Sequence, residues 1–256
     1  MVWEELRFQA LLRHADDRLV LGHRLSEWCG HGPTLEEDIA LSNVALDLLG
    51  QAKVIFEQSI KTDSEKRSVD DLIYFREIRG YRNVILVEQP NGDFACTILR
   101  QYFFDVFNRL WLNSLQSSID KDLSSFARSA LKEAIYHERH TKSWVVRLGD
   151  GTKESNERIQ EAVSVFYPLS YELFSQDEID QKVFSKGLLP NTACFEKVWK
   201  EEVALTLLEA TLQFPKRIST QTLRGREGRH TEHLDRILSR RTVAARRRCG
   251  RRCSCR

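Results

Sequence analysis

The feature that most constrains this sequence is a metal-binding motif that lacks one of its ligands. The segment Leu131–His140 lies within a long amphipathic helical pattern. Helical bundles that bind two iron ions through carboxylates use Glu-x-x-His in such a helix, because residues three apart lie on one face. His137 is present, but Ala134 stands in the place of the glutamate, and Glu133 lies about 100° further around the helix. The sequence therefore predicts a bundle of the di-iron architecture without iron of its own. The residues predicted to face inward on this helix are Ala127, Ala130, Ala134, His137, Thr141, Trp144 and Leu148.

Positive charge is concentrated at the C-terminal end of the chain. Residues 240–256 contain eight arginines and no acid, whereas the rest of the 256 residues contain 31 basic and 37 acidic side chains. A mildly acidic body does not favour nucleic-acid binding. Composition therefore predicts a helical domain over residues 1–239 and an Arg- and Cys-rich tail over residues 240–256. We expect this tail to be disordered or non-native, and a basic arm that binds nucleic acid is the alternative.

Neither the cysteines nor the apolar residues indicate export or a membrane. Cys29, Cys96 and Cys194 are scattered through the body and do not form a disulfide framework, so we expect reduced thiols. The sequence contains no run of 18 apolar residues and no signal-peptide pattern at its start. We therefore expect a cytoplasmic protein without a membrane partner.

Apolar periodicity and capping residues predict an all-α fold. The run Val84–Val87 has the composition of a strand, but no other segment offers it a partner strand. Thr34 and Asp93 are placed to cap the second and third long helices. The expected architecture is a bundle of four long core helices with additional C-terminal helices. The predicted helices cover residues 7–29, 34–60, 72–80, 94–117, 121–148, 153–174, 191–213 and 231–239.

The other long helices do not supply the missing metal ligands. A second Glu-x-x-His motif would need Glu at position 40 and His at position 43, where the sequence has Ala40 and Asn43. A di-iron carboxylate site needs about four carboxylates and two histidines, so we predict no metal ligand and no cofactor. We instead expect the inward polar residues to satisfy one another in a hydrogen-bonded network. Its predicted members are Asn43, Asp47, Gln101, Asp105 and His137.

Seven short runs, in order along residues 10–238, resemble one family. That family comprises the C subunits of the phenylacetyl-CoA epoxidases, the ring 1,2-epoxidising multicomponent monooxygenases of aerobic phenylacetate degradation. The runs that carry the resemblance are Leu25–His31, Leu46–Ala52, Leu86–Gly92, Arg100–Tyr102, Lys132–Ala134 with Tyr136–His137, Asp177–Asp180 and His230–Leu234.

The resemblance implies a fold, a partner and a place for the substrate. It implies a ferritin-like, metal-free paralogue that supports the di-iron catalytic subunit, which itself carries out the epoxidation, within a complex that contains further subunits. It also implies contact with the CoA-thioester substrate, where the cations of Arg82 and Lys182 would suit the phosphates. The segments concerned are Gly80, Tyr81, Arg82 and Asn83, and Gln181, Lys182 and Val183.

Two other function classes are open to a chain of this composition. The first is a self-sufficient di-iron carboxylate oxygenase or ferritin-like metal protein, which the residues at positions 40, 43 and 134 do not favour. The second is a helical nucleic-acid-binding protein that uses the Arg-rich tail, which the acidic body does not favour.

Overall fold

Every regular element in the described part of the chain is helical, which confirms the prediction of an all-α fold. The computed structural model describes residues 2–215 and 224–239, so the predicted tail over residues 240–256 lies outside the described residues. The helices are α1 Trp3–Ser26, α2 Leu35–Ser59, α3 Val69–Tyr74, α4 Ile85–Glu88, α5 Phe94–Leu115, α6 Lys121–Gly149, α7 Lys153–Phe166, α8 Glu178–Ser185, α9 Phe195–Glu209 and α10, residues 232–239.

The four long helices α1, α2, α5 and α6 form two antiparallel pairs, α1 with α2 and α5 with α6. Side-chain contacts also make α1 antiparallel to α5 and α2 antiparallel to α6, so α2 and α5 run parallel. The segment 60–93 between them must therefore travel the length of the bundle, which is the single long crossover of a ferritin-like fold. The contacts that fix these directions are Arg7 with Gln58, Arg18 with Gln51, Trp28 with Thr97, Arg18 with Asn108, Arg109 with Glu138, Phe94 with Trp144, Asp47 with His137, and Lys61 with Asp122.

Local sequence signals account for where the helices begin. Thr34 accepts a hydrogen bond from the backbone N–H of Glu37, and Asp93 accepts one from the backbone N–H of Cys96, as N-cap residues do. The run Val84–Val87, which has the composition of a strand, forms the N-cap and first residues of the one-turn helix α4. All four residues of α4 are buried. The prediction that this run does not form a strand is correct.

The predicted helices differ from the structure in several places. The helix predicted over residues 72–80 ends at Tyr74, and a separate 3₁₀ turn covers Ile78–Gly80. The helix predicted over residues 153–174 stops at Phe166, and Pro168 opens a 3₁₀ segment, because proline has no N–H for an α-helical hydrogen bond. Helix α8 was not predicted, although Asp177 begins it with a capping box. On α6 the buried stripe continues with Val145 and Gly149 instead of Trp144 and Leu148.

The C-terminal segment, residues 224–239, packs back onto the bundle through buried ion pairs. Arg226 Nη2 donates to Asp17 Oδ2 at 2.7 Å, and Asp17 is fully buried in α1. His230 Nδ1 lies 2.7 Å from Glu88 Oε2, and both side chains are at most 1% exposed. These two pairs tie the end of the described chain to its first long helix and to α4.

The second long helix is unusually apolar for its degree of burial. Of the described helices, only Leu35–Thr62 has the length and composition that would also suit a membrane span, and 44% of its most apolar window is buried. A core helix of a folded bundle meets the same criterion, and α2 packs along α1 as such a helix.

Candidate functional site

The centre of the bundle is occupied by the guanidinium of Arg18, a residue that sequence reasoning missed. It is fully buried in α1 and lies 4.4 Å from the ring centre of Trp111. Within the described residues, its hydrogen bonds go to uncharged oxygens of His14, Gln51 and Asn108. Burial lowers the pKa of Arg18 to about 9. The guanidinium therefore remains the charged group at neutral pH and places a positive charge inside the bundle.

A second polar group joins α5 to α6. Gln101 Nε2 donates to Asp105 Oδ1 at 2.7 Å, and Thr141 Oγ1 lies 2.9 Å from Asp105 Oδ2. Burial raises the pKa of Asp105 well above the ordinary value, although both hydrogen bonds oppose that rise. Burial therefore favours the neutral form of Asp105 relative to an exposed aspartate, which makes this side chain a weaker metal ligand.

The third polar contact joins α2 to α6. His137 Nε2 lies 3.0 Å from Asp47 Oδ2, and the two side chains are 1% and 41% exposed. Burial lowers the pKa of His137, and the carboxylate of Asp47 opposes this. His137 is therefore neutral at pH 7, with its Nε2–H donated to Asp47, while its Nδ1 has no hydrogen-bond partner in the described residues.

One member of the predicted polar network is misplaced. Asn43 is exposed on α2, so its predicted place inside the bundle is wrong. The structure brings Gln101 and Asp105 together on α5, and joins Asp47 to His137, as separate contacts. The polar residues at the centre that the sequence analysis did not predict are Arg18, Gln51 and Asn108. Helical phase could have predicted that Arg18 is buried, because it lies on the same side of α1 as Leu11, His14, Leu21 and Leu25.

The residues at this centre do not fit a di-iron group. Ala134 is fully buried and presents a methyl group where a carboxylate is needed. Glu133, the adjacent acid, accepts a hydrogen bond from Gln51 instead. Among the described residues, no three His, Cys, Asp or Glu side chains are grouped to hold a metal ion. The buried guanidinium of Arg18 would also repel a cation placed beside it.

The segment from Gly80 to Asn83 is largely buried against α1. Tyr81 and Asn83 are at most 1% exposed, whereas Gly80 and Arg82 are half-buried. The backbone N–H of Arg82 donates to Asp16 Oδ2 at 2.9 Å, and its guanidinium donates to the carbonyl oxygens of Arg79 and Tyr81. Hydrogen bonds thus hold the segment in place, and Gly80 and Arg82 are the residues that solvent reaches.

The other predicted substrate segment lies on α8. Gln181 and Lys182 are exposed and Val183 is buried, with the ammonium of Lys182 paired to Glu178 at 2.5 Å. Arg13 of α1 holds the start of α8 through its ion pairs with Asp177 and Asp180. Arg226 Nη1 donates to the carbonyl oxygens of both Arg13 and Arg82. The two predicted segments therefore lie on neighbouring parts of α1.

Comparison with known proteins gives this architecture a family. The sequence matches the phenylacetic acid catabolic protein family over residues 3–251. The chain belongs to this family. A relative from Escherichia coli (strain K12), the C subunit of 1,2-phenylacetyl-CoA epoxidase, is 41% identical over 228 residues, which cover 89% of this chain and 91% of the relative. The family match includes the helices that carry Arg18, Asp47, Asp105 and His137, and extends past residue 239.

In this member of the phenylacetic acid catabolic protein family, we expect His137 to contribute to stability. Replacing His137 with Leu should lower the free energy of unfolding by about 1–3 kcal/mol, because the Asp47 carboxylate loses its partner while remaining partly hydrated. Replacing His137 with Gln keeps a donor and should cost about 1 kcal/mol or less. Chemical denaturation at pH 7 measures both losses. Equal losses for the two variants would contradict the hydrogen-bond role.

Proposed function

We propose that this chain is a non-catalytic structural subunit of a phenylacetyl-CoA epoxidase complex. In this proposal it is cytoplasmic and supports the di-iron catalytic subunit in aerobic phenylacetate catabolism, beside the other subunits of that complex. The observation that carries the proposal is the 41% identity to the C subunit of such an epoxidase along 91% of that relative's length. Identity this extensive supports a shared role as well as a shared fold.

The chemistry of the bundle centre supports a role without catalysis. Oxygen activation at a di-iron site requires ionised carboxylates. Here Ala134 supplies none, and Asp105 has a raised pKa because it is buried. The cation of Arg18 occupies the interior instead. The hydrogen bonds of Arg18, Gln51 and Thr141 join α1, α2, α5 and α6, so their effect is to hold the four long helices together.

We also propose that the CoA moiety of the substrate contacts this subunit near α1. The half-buried Arg82 and the exposed Lys182 lie on segments that share Arg13 and Arg226 as neighbours. Arginine and lysine bind phosphate through charge-assisted hydrogen bonds. Replacing Lys182 with Ala should raise the KM of the assembled epoxidase for its thioester and leave kcat unchanged. An unchanged KM would remove Lys182 from the contact.

Co-expression with the catalytic subunit tests the main proposal. We expect a tagged form of this chain to retain the catalytic subunit through size-exclusion chromatography. Metal analysis of the chain purified alone from iron-rich medium should give far less than one iron per chain. About two irons per chain, together with oxygenase activity of the isolated protein, would support the self-sufficient di-iron enzyme instead.

A further inference from the structure

An open groove of about 670 Å³ lies between α2 and α6. We call it the α2–α6 groove. Leu46, Gly50 and Val54 line it from α2, and Phe126 and Glu133 line it from α6. Asp47 also lines the groove and contacts the buried His137 of α6.

Large apolar side chains are exposed to solvent on the two helices that form the α2–α6 groove. Leu46 lines the groove and is 66% exposed. Ile39 lies two turns before it on α2 and Tyr136 lies one turn after Glu133 on α6, so both share a helix face with lining residues, and they are 54% and 57% exposed. These side chains belong to α2, which is apolar enough for a membrane span, and to the helix beside it. A large exposed apolar surface rimmed by polar groups is typical of a protein-protein interface.

Gly50 gives independent support for close contact with a partner. Glycine is among the least favourable residues in the middle of a helix, yet a Cβ added at Gly50 would meet no atom within 4 Å. At Gly22, by contrast, an added Cβ would lie 3.0 Å from Leu49, so the packing of α1 on α2 explains that glycine. The fold of this chain does not explain the missing side chain at position 50. A partner backbone or large side chain that approaches α2 there would explain it.

The charges of the α2–α6 groove indicate the chemistry of that partner. Asp47, Asp122 and Glu133 line the groove, and none of the described residues that line it is a lysine or arginine. Lys61 pairs with Asp122 at the outer end, 2.7 Å away. Glu133 accepts a hydrogen bond from Gln51, and no cation in the described part of the chain lines the groove beside it. Burial raises the pKa of Glu133, the Gln51 hydrogen bond opposes this rise, and the nearby Asp47 adds to it. A partner that inserts a lysine or arginine beside apolar side chains would complement the groove.

We propose that the α2–α6 groove is the docking site for an amphipathic helix of the catalytic subunit. This inference rests on the proposed function. The helix packs apolar side chains on Ile39, Leu46 and Tyr136, approaches most closely at Gly50, and places a lysine or arginine among the groove carboxylates.

Filling the groove at its closest point is the first test. Gly50→Trp places a large side chain in the α2–α6 groove from a position where an added Cβ meets no atom within 4 Å, and it removes a glycine from the middle of a helix. Its thermal midpoint should therefore equal or exceed that of the unaltered chain. Its Kd for the purified catalytic subunit, measured by isothermal titration calorimetry, should rise by roughly thirtyfold or more, as for a central interface position. Gly50→Ala is the matched control and should bind far more tightly than Gly50→Trp.

Reversing the charge of the groove is the second test. Ser129 is exposed on α6 and lines the α2–α6 groove. Ser129→Lys should weaken binding of the catalytic subunit by about tenfold or more, because it repels the partner's cation. Ser129→Gln has a similar length without charge and should weaken binding less. Equal affinities for these two variants would overturn the charge assignment.

The outcomes separate the docking site from the proposed function. If the unaltered chain does not bind the catalytic subunit, the proposed function is wrong and the docking site falls with it. If the unaltered chain and Gly50→Trp bind with equal affinity, the complex exists but its interface lies elsewhere. If the isolated chain is a dimer that Gly50→Trp converts to a monomer, the groove binds a second copy and the proposal is overturned.

Discussion

Replacing Asp17 with Ala is expected to lower the free energy of unfolding by about 3–5 kcal/mol, because it leaves buried positive charge without a counter-ion. The Asp17 carboxylate accepts hydrogen bonds from the Arg226 guanidinium and from the backbone N–H of Val84. Its side chain is fully buried, and that of Arg226 is 13% exposed. The substitution therefore removes the group that joins α1, the crossover and the C-terminal segment. Urea denaturation at pH 7 measures the loss.

An exposed ion pair provides the control for Asp17. Asp122 pairs with Lys61, and the two side chains are 61% and 51% exposed. Asp122→Ala should change the free energy of unfolding by about 1 kcal/mol or less, because solvent screens the pair. If Asp17→Ala and Asp122→Ala gave similar losses, the C-terminal segment would not depend on the buried pair.

Replacing Glu88 with Ala is expected to lower the free energy of unfolding by about 3–5 kcal/mol at pH 6, because it removes a second buried pair. The Glu88 carboxylate accepts hydrogen bonds from the Asn83 side chain and from the backbone and hydroxyl of Thr231, and it faces His230 Nδ1. Limited proteolysis should show faster cleavage within residues 224–239 of the variant than of the unaltered protein. Unchanged cleavage would contradict the role of Glu88 in holding this segment.

The pH dependence of the Glu88–His230 pair has a definite sign. Burial alone would lower the pKa of His230, but the Glu88 carboxylate raises it above the ordinary value, and His230 Nε2 faces the carbonyl oxygen of Tyr81. A histidine with a raised folded-state pKa contributes its full stability below about pH 6.5 and loses it as the pH rises through the folded pKa. Glu88→Ala should therefore cost less at pH 9 than at pH 6. His230→Gln should lose this dependence, and an unchanged pH profile in that variant would show that another group titrates.

The helices could be predicted from the sequence because their signals are local. Thr34 and Asp93 cap helices through hydrogen bonds to residues three positions later. The buried stripe from Ala127 to Thr141 on α6 can be predicted from the helical repeat alone. The stripe was wrong beyond Thr141 because the helical repeat of about 3.6 residues shifts a strict three-and-four pattern after several turns. Pro168 indicates the end of a helix, but the apolar residues that follow it also have helical spacing.

The centre of the bundle could be predicted only in part because its partners are remote in sequence. Helical phase placed Asp105 and His137 inward, and the structure buries both. It could not show that Gln51 meets Arg18 and Asn108, which lie 33 and 57 residues away. Residue type alone predicts that an arginine such as Arg18 is exposed, because arginine is rarely buried. Helical phase predicts that Asn43 faces inward because it lies four residues before Asp47. In the structure Asn43 is exposed to solvent on α2.

The docking of residues 224–239 has a consequence for how the protein is made on the ribosome. Asp17 is synthesised before its partner Arg226, which follows 209 residues later. Until then, a nascent chain that closed its long-helix bundle would bury the carboxylates of Asp17 and Glu88 without their cationic partners, which is costly. The bundle can therefore reach its final packing only after the chain has been synthesised past residue 230. A product truncated before residue 226 should be less stable and more readily removed by cellular proteases than one that includes this segment.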